Sequence, residues 1–174
     1  MIKLILQSLA LLAITLGLML GLVYAPDYLN YVPWEPKFIT MSGAELSDPL
    51  DTVETGVAFV TYWDVECKFC AQQQQILRQF VLQSGSGMVT LVYVNPYNTV
   101  QEIEQYITEL EEPKVDGVPE LWMRGTEILM VNLPYVTLWM RDETGVWVAE
   151  LSWEGRKTID EVYALLQPYL TGNE

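Results

Sequence analysis

The feature that most constrains this chain is the junction between residues 57–63 and the cysteines that follow them. Val57, Ala58, Phe59, Val60, Thr61, Tyr62 and Trp63 are nearly continuous in apolar and β-forming character. A strand buried on both faces reads this way. Cys67 and Cys70 come directly after it. Residues 70–83 then place Ile76, Leu77, Phe80 and Val81 at the three- and four-residue spacing of a helix face. A buried strand running straight into a helix needs neighbouring strands beside it and helices packed on it, so the chain reads as an α/β protein.

The other segments continue the alternation. Ser84-Gly85-Ser86-Gly87 stops the first helix, and residues 88–94 predict a second buried strand. Residues 99–111 predict an amphipathic helix with Val100, Ile103, Ile107 and Leu110 on one face, ended by Pro113. Residues 119–131 predict a short strand near Leu121 and a helical turn near Glu127. Residues 135–140 and 146–151 predict a hairpin turning at Asp142-Glu143-Thr144-Gly145, and residues 158–170 a closing helix. This order predicts a mixed central sheet with helices on both faces. Its crossovers should be parallel and right-handed, and its last hairpin antiparallel.

Ahead of this body, residues 4–25 hold no charged side chain, and Lys3 precedes them. As a helix they would span about 33 Å, enough for a hydrocarbon core of about 30 Å. The reading is an N-terminal transmembrane anchor at 1–25, with the positive charge kept on the cytoplasmic side. A cleaved signal peptide is the alternative, opposed by Pro26 directly after Val23-Tyr24-Ala25. Residues 26–36 contain Pro26, Pro33 and Pro36 with Tyr28, Tyr31 and Trp34, and read as an extended tether or, alternatively, as an N-terminal arm packed on the domain. Residues 37–174 form the folded domain. Either N-terminal reading places that domain outside the cytoplasm, in an oxidising compartment.

Charge and composition remove several function classes. The formal charge is −14, from 23 acids against nine bases, so nucleic acid is not an expected partner. The chain has no histidine. That excludes a Ser-His or Cys-His pair and any His-ligated metal.

Only two cysteines exist, spaced as Cys67-Lys68-Phe69-Cys70. At a helix N-terminus the free N–H groups and the dipole stabilise a thiolate. Cys67 is therefore expected below the ordinary thiol value of about 8.5. Lys68 helps, while Asp64 and Glu66 oppose. Cys70, one turn further, would be more buried and would resolve the mixed disulfide that Cys67 forms. Two other readings stay open: half of a zinc site, and an inert disulfide closing a small loop.

The stretch Phe59-Val60-Thr61-Tyr62-Trp63-Asp64-Val65-Glu66-Cys67-Lys68-Phe69-Cys70 resembles the strand–Trp–x–x–x–Cys–x–x–Cys signature of the thioredoxin superfamily. Val131-Asn132-Leu133-Pro134-Tyr135-Val136-Thr137-Leu138 is similar to its second landmark, in which a cis-proline precedes a strand. The resemblance covers about residues 38–170. It implies a thioredoxin-like fold, with Trp63 packed beside the site, Pro134 against the cysteine pair and Leu133 touching substrate backbone. The anchor, the acidity and the extra segment between Asn95 and Leu133 look like the membrane-tethered, extracytoplasmic branch (TlpA, ResA and cytochrome c maturation reductases). Three positions depart from the superfamily. Thr61 replaces a buried aspartate, Glu66 a tryptophan before the first cysteine, and Phe69 a proline before the second.

The resemblance implies a protein thiol–disulfide oxidoreductase acting on extracytoplasmic proteins. It would need an external electron source, such as a membrane thiol carrier, and no dissociable cofactor or metal. A non-catalytic module of an envelope complex is the alternative. Trp122, Trp139, Trp147 and Trp153 read as core or hairpin-face residues, and Met123, Met130 and Met140 as gap-fillers. Glu102, Glu104, Glu109, Glu111 and Glu112 read as a solvated helix face.

Overall fold

In the computed structural model, residues 38–84, 89–110, 117–126 and 131–170 are described. The chain divides into two units, Met1–Glu35 and Pro36–Glu174, and every described residue belongs to the second. The expected anchor and tether, the turn near Glu127, and Met130 lie outside the described residues. No helix among those residues is long and apolar enough to cross a membrane.

The two apolar runs form the middle of the sheet. Strand β3, Val57–Tyr62, buries its four central residues, and β4, Val89–Asn95, is buried throughout. They pair in parallel, with Phe59 opposite Leu91 and Tyr62 opposite Val94. Strand β5, Glu120–Gly125, lies parallel to β4 on its far side. Strand β6, Tyr135–Arg141, runs antiparallel to β3, and β7, Trp147–Glu154, antiparallel to β6. Two short strands, β1 at Phe38–Thr40 and β2 at Glu45–Leu46, complete the order β2-β1-β5-β4-β3-β6-β7. The sequence reading has no counterpart for β1 and β2. They are too short to show alternation, and Gly43 at φ 85° turns them back on each other.

Each helix begins on a capping side chain. Helix α1, Lys68–Gln83, has Cys67 as its N-cap. It starts two residues before the predicted Cys70, because the N-cap lies at the first cysteine. Helix α2, Val100–Glu109, starts on a reciprocal Thr99–Glu102 capping box. Helix α3, Ile159–Leu170, follows Thr158, whose backbone N–H donates to Glu161 Oε2 at 2.7 Å while Glu161 N–H donates to the Thr158 hydroxyl at 3.3 Å.

All three described helices pack on one face of the sheet, not on both as predicted. Leu77 and Phe80 of α1, Ile103 of α2 and Val162 and Leu166 of α3 share one core with Phe59, Trp63, Leu91, Tyr93 and Val136. The physical reason is handedness. The path β3–α1–β4–α2–β5 steps across the sheet in one direction, so right-handed crossovers put both helices on the same side. The opposite face buries Ala58, Val60, Val92, Val94 and Met123 under Phe38, Leu50 and Val53 instead.

Beneath the helices lies an ion pair. Arg78 of α1 and Glu120 of β5 have side chains only 3% and 1% exposed. The carboxylate accepts from Arg78 Nε and Nη2, and Trp122 Nε1–H donates to it at 3.3 Å. The guanidinium lies 5.8 Å from the Tyr93 ring centroid and 5.9 Å from that of Trp122. Burial lowers the pKa of Arg78, but the hydrogen bond to Glu120 and the nearby Tyr93 raise it, and the net shift is upward. Breaking such a pair leaves a buried charge uncompensated. Glu120→Ala is therefore expected to cost about 3–5 kcal/mol in urea unfolding, while the paired change Arg78→Met with Glu120→Leu stays within about 1–2 kcal/mol of the parent.

The Thr158 backbone N–H and then its hydroxyl hold the Glu161 carboxyl below its ordinary value of 4.5. The folded value lies below the unfolded one, so this carboxylate stabilises the fold above the unfolded value. The contribution is lost as pH falls through the folded value. Glu161→Ala is expected to lower the Tm near pH 7, and the difference should vanish well below pH 4.5.

Candidate redox site at the Cys67–Cys70 pair

The loop that carries Cys67 is built from its backbone N–H groups. Trp63 N–H donates to the Val94 carbonyl at 3.1 Å and carries the strand pairing one residue past β3. Asp64 Oδ1 accepts the Glu66 N–H at 2.8 Å, and the Asp64 carbonyl accepts the Cys67 N–H at 3.1 Å. The Val65 N–H donates to Asn98 Oδ1 at 3.1 Å. Asn98 Oδ1 also accepts from Asn95 Nδ2 at 2.8 Å, and Asn95 Oδ1 accepts the N–H groups of Tyr97 and Asn98 at 2.9 Å each. Asn95 is fully buried. Two amides at the end of β4 thus pin the loop before the cysteines. The sequence reading did not assign them. The available signal is Asn95-Pro96, a turn-initiating dipeptide closing a buried strand. Burial and then the Asp64 carboxylate push the Tyr97 hydroxyl above its ordinary range.

Cys67 and Cys70 are joined as a disulfide, with Cα atoms 5.2 Å apart. As N-cap, Cys67 places its Sγ where it accepts the Cys70 N–H at 3.2 Å. The Cys67 carbonyl accepts the Cys70 and Ala71 N–H groups at 2.9 and 3.3 Å. The two sulfurs differ in access. Cys67 is partly exposed, whereas Cys70 is fully buried in the core. Lys68 and Phe69 between them face outward, and Phe69 is 58% exposed.

Trp63 is 0% exposed and belongs to the helix-side core. Its ring centroid lies 4.6 Å from Tyr106 and 5.3 Å from Trp122. It supports the site from beneath and cannot border a substrate groove. The Leu133–Pro134 peptide bond is cis. Tyr135 pairs with Tyr62, so Pro134 stands at the register position beside Trp63. Pro134 is buried, and its carbonyl accepts the Gly155 N–H at 2.8 Å. Leu133 is partly buried and packs against the same core cluster as Cys67.

A neutral polar layer lies on the helix side of the sheet. The sequence reads residues 72–75 as a short polar run at a helix start, yet Gln73 and Gln74 are fully buried. They stand three and four residues after Cys70, on its side of the helix. Gln73 Oε1 accepts the Lys157 N–H at 2.6 Å, and Gln74 Oε1 accepts the Tyr106 hydroxyl at 3.1 Å. Among the described residues, the amide nitrogens of both, Thr61 Oγ1 and the Tyr93 hydroxyl have no hydrogen-bond partner. Burial pushes the Tyr93 hydroxyl far above its ordinary range.

This architecture matches solved structures across most of the chain. A putative thiol:disulfide interchange protein DsbE from Chlorobium tepidum superposes with a TM-score of 0.54 at 16% identity, over 77% of this chain and 89% of that one. A putative thioredoxin from Neisseria meningitidis gives 0.55 at 14%, over 79% and 89%. This chain has the thioredoxin fold. A secreted Mycobacterium tuberculosis disulfide oxidoreductase, homologous to E. coli DsbE, gives 0.51 at 15%, over 76% and 94%. No family model and no curated protein matches the sequence. Within the thioredoxin fold, the cysteine pair follows the central strand, and the cis-proline immediately precedes the adjacent strand at the same edge of the sheet.

Reduction of the disulfide would leave the Cys67 sulfur at the N-terminus of a 16-residue helix with no acid in its first turn. Its thiol is expected to titrate below about 8.5, read from the pH dependence of iodoacetamide alkylation. Glu66→Gln should lower that midpoint further, and Cys70 should stay unalkylated in the folded protein.

Proposed function

We propose that this protein is a thiol–disulfide oxidoreductase that exchanges disulfides in other proteins. The observation that carries this reading is the unequal access of one cysteine pair: Cys67 partly exposed at the N-cap of α1, Cys70 fully buried one turn later. In the reducing direction the Cys67 thiolate attacks one sulfur of a substrate disulfide. A Cys67–substrate disulfide forms and the first substrate thiolate leaves, taking up a proton. Cys70 then loses its proton and attacks Cys67 Sγ, and the second substrate thiolate leaves. Two electrons pass from the protein dithiol to the substrate, and the Cys67–Cys70 disulfide is restored. Pro134 shapes the edge beside the pair, Leu133 meets the substrate backbone, and Phe69 with Lys68 offers the first outward contact. The redox group is the cysteine pair itself, with no dissociable cofactor or metal.

The favoured direction is reduction. The names of the structural neighbours support disulfide exchange in general, and one of them is described as secreted. The uncharged residues 4–25 support an anchor that leaves the domain on the outer side of the membrane, and a membrane thiol carrier would then supply electrons. A binding module without turnover is the second reading. The neutral Thr61, Gln73 and Gln74 favour it, because the buried site beside Cys70 offers no carboxylate on those side chains to accept a proton.

Insulin reduction by dithiothreitol separates the two. The wild-type chain is expected to accelerate insulin precipitation, Cys67→Ser to fall to the uncatalysed rate, and Cys70→Ser to accumulate a mixed disulfide with insulin. A folded wild-type protein with no acceleration would sink the enzyme reading. The reduction potential fixes direction: a value near about −270 mV fits a reductant, and one near about −120 mV an oxidant.

A further inference from the structure

A substrate must be held while its disulfide is exchanged, and the face of the sheet opposite the three described helices offers a surface for this. A groove of about 480 Å³ runs along that face. Val60 of β3 and Thr137 of β6 line it, with Tyr62, Tyr135 and Trp139 as its aromatic residues. Pro49 and Leu50 close its other side. Its size falls within the range of ligand pockets, about 300–1,000 Å³.

The groove begins at the redox edge. Tyr62 and Tyr135 are register partners with ring centroids 6.2 Å apart. Tyr62 immediately precedes Trp63, and Tyr135 immediately follows the cis-Pro134. From Tyr135 to Trp139 the strand advances about 13 Å, the length of about four residues of extended peptide.

A bulge sets the charge of the groove. A regular strand would show it every second residue, yet Ala149, Glu150, Leu151 and Ser152 all line it. The β6–β7 register shifts between Leu138 and Trp139, which pair with Leu151 and Ala149 and leave Glu150 as the extra residue. Among the described residues that line the groove, Asp48 and Glu150 carry charge, and both are acidic.

We propose that this groove binds the polypeptide segment beside the reacting cysteine of a substrate protein, and favours segments that pair an aromatic residue with Lys or Arg. The proposal rests on the oxidoreductase reading. An aromatic side chain stacks against Tyr62, Tyr135 and Trp139, and a cation meets both their ring faces and the two carboxylates. A second copy of this chain is a poor occupant, because it brings a net charge of −14 to an acidic rim.

The test separates binding from turnover. The oxidised full chain is titrated by fluorescence anisotropy with a short synthetic peptide carrying Lys-Trp beside a serine in place of the reacting cysteine. A control peptide carries Asp-Ser in place of Lys-Trp. The Lys-Trp peptide should bind at least about tenfold more tightly, and salt should weaken it. Ala149→Arg and Ser152→Arg, both at exposed positions, should each abolish the preference. Both variants should reduce bis(2-hydroxyethyl) disulfide at the wild-type rate. Equal binding of the two peptides, or a preference that survives both arginines, overturns the proposal. So does a preference lost only together with a change in sedimentation, which would assign the groove to a second copy. Failure of the wild type to reduce the small disulfide counts against the oxidoreductase reading alone, since the peptide titration needs no turnover.

Discussion

Two parallel crossovers that wind the same way determine most of what this domain can do. Because β3, β4 and β5 are laid down in spatial order, α1 and α2 arrive on one face, and α3 joins them there against α1. Aromatic bulk gathers on that side, with Trp63, Tyr93, Tyr106 and Trp122 in mutual ring contact. The C-terminal ends of the parallel strands converge at one edge, and the disulfide sits at that edge. The other face keeps a thinner cover of strand residues and residues 47–53. Site and groove are thus two outcomes of one winding direction.

The interior under the site is polar without being ionised near Cys70. Thr61, Gln73 and Gln74 bring hydroxyl and amide groups there, and the buried charges, Arg78 and Glu120, neutralise each other further along α1. A buried amide cannot take a proton as a carboxylate can, although it orients dipoles and hydrogen-bonds to its neighbours. The protein therefore separates two tasks: charge balance in the ion pair, and polarity in the neutral layer.

The fold was largely legible because its central elements obey simple periodicities. Residues 57–63 and 88–94 read as buried strands, and the structure has β3 at Val57–Tyr62 and β4 at Val89–Asn95, because a short β-branched apolar run favours a covered strand. Helix starts shifted by a residue or two where a cap decided the boundary: Cys67 moved α1 earlier than its apolar stripe begins. β1 and β2 escaped notice because three and two residues carry no period. The placement of the three described helices on one face depends on strand order, which no local pattern encodes. At the site, the spacing of Cys67 and Cys70 was readable as chemistry. Trp63, read as packing beside the site, is fully buried in the helix-side core one residue past β3. Gln73 and Gln74 read as part of a short polar run at a helix start, and no local pattern shows that Gln73 is buried against the Lys157 backbone and Gln74 against the Tyr106 hydroxyl.

The grip of Glu120 on Arg78 bears on how far a redox change can spread. Arg78 stands eleven residues beyond Cys67 on α1, about 16 Å along the helix axis. Its guanidinium is clamped by a carboxylate on a different strand and overlaid by two rings. The far half of the helix is thereby riveted to β5, so opening the disulfide has slack to work with only in the first turn. Oxidised and reduced forms should then present nearly the same body to any partner and differ in a few ångströms around one sulfur. A protein so arranged signals its electron count locally, through chemistry at Cys67, rather than by reshaping itself.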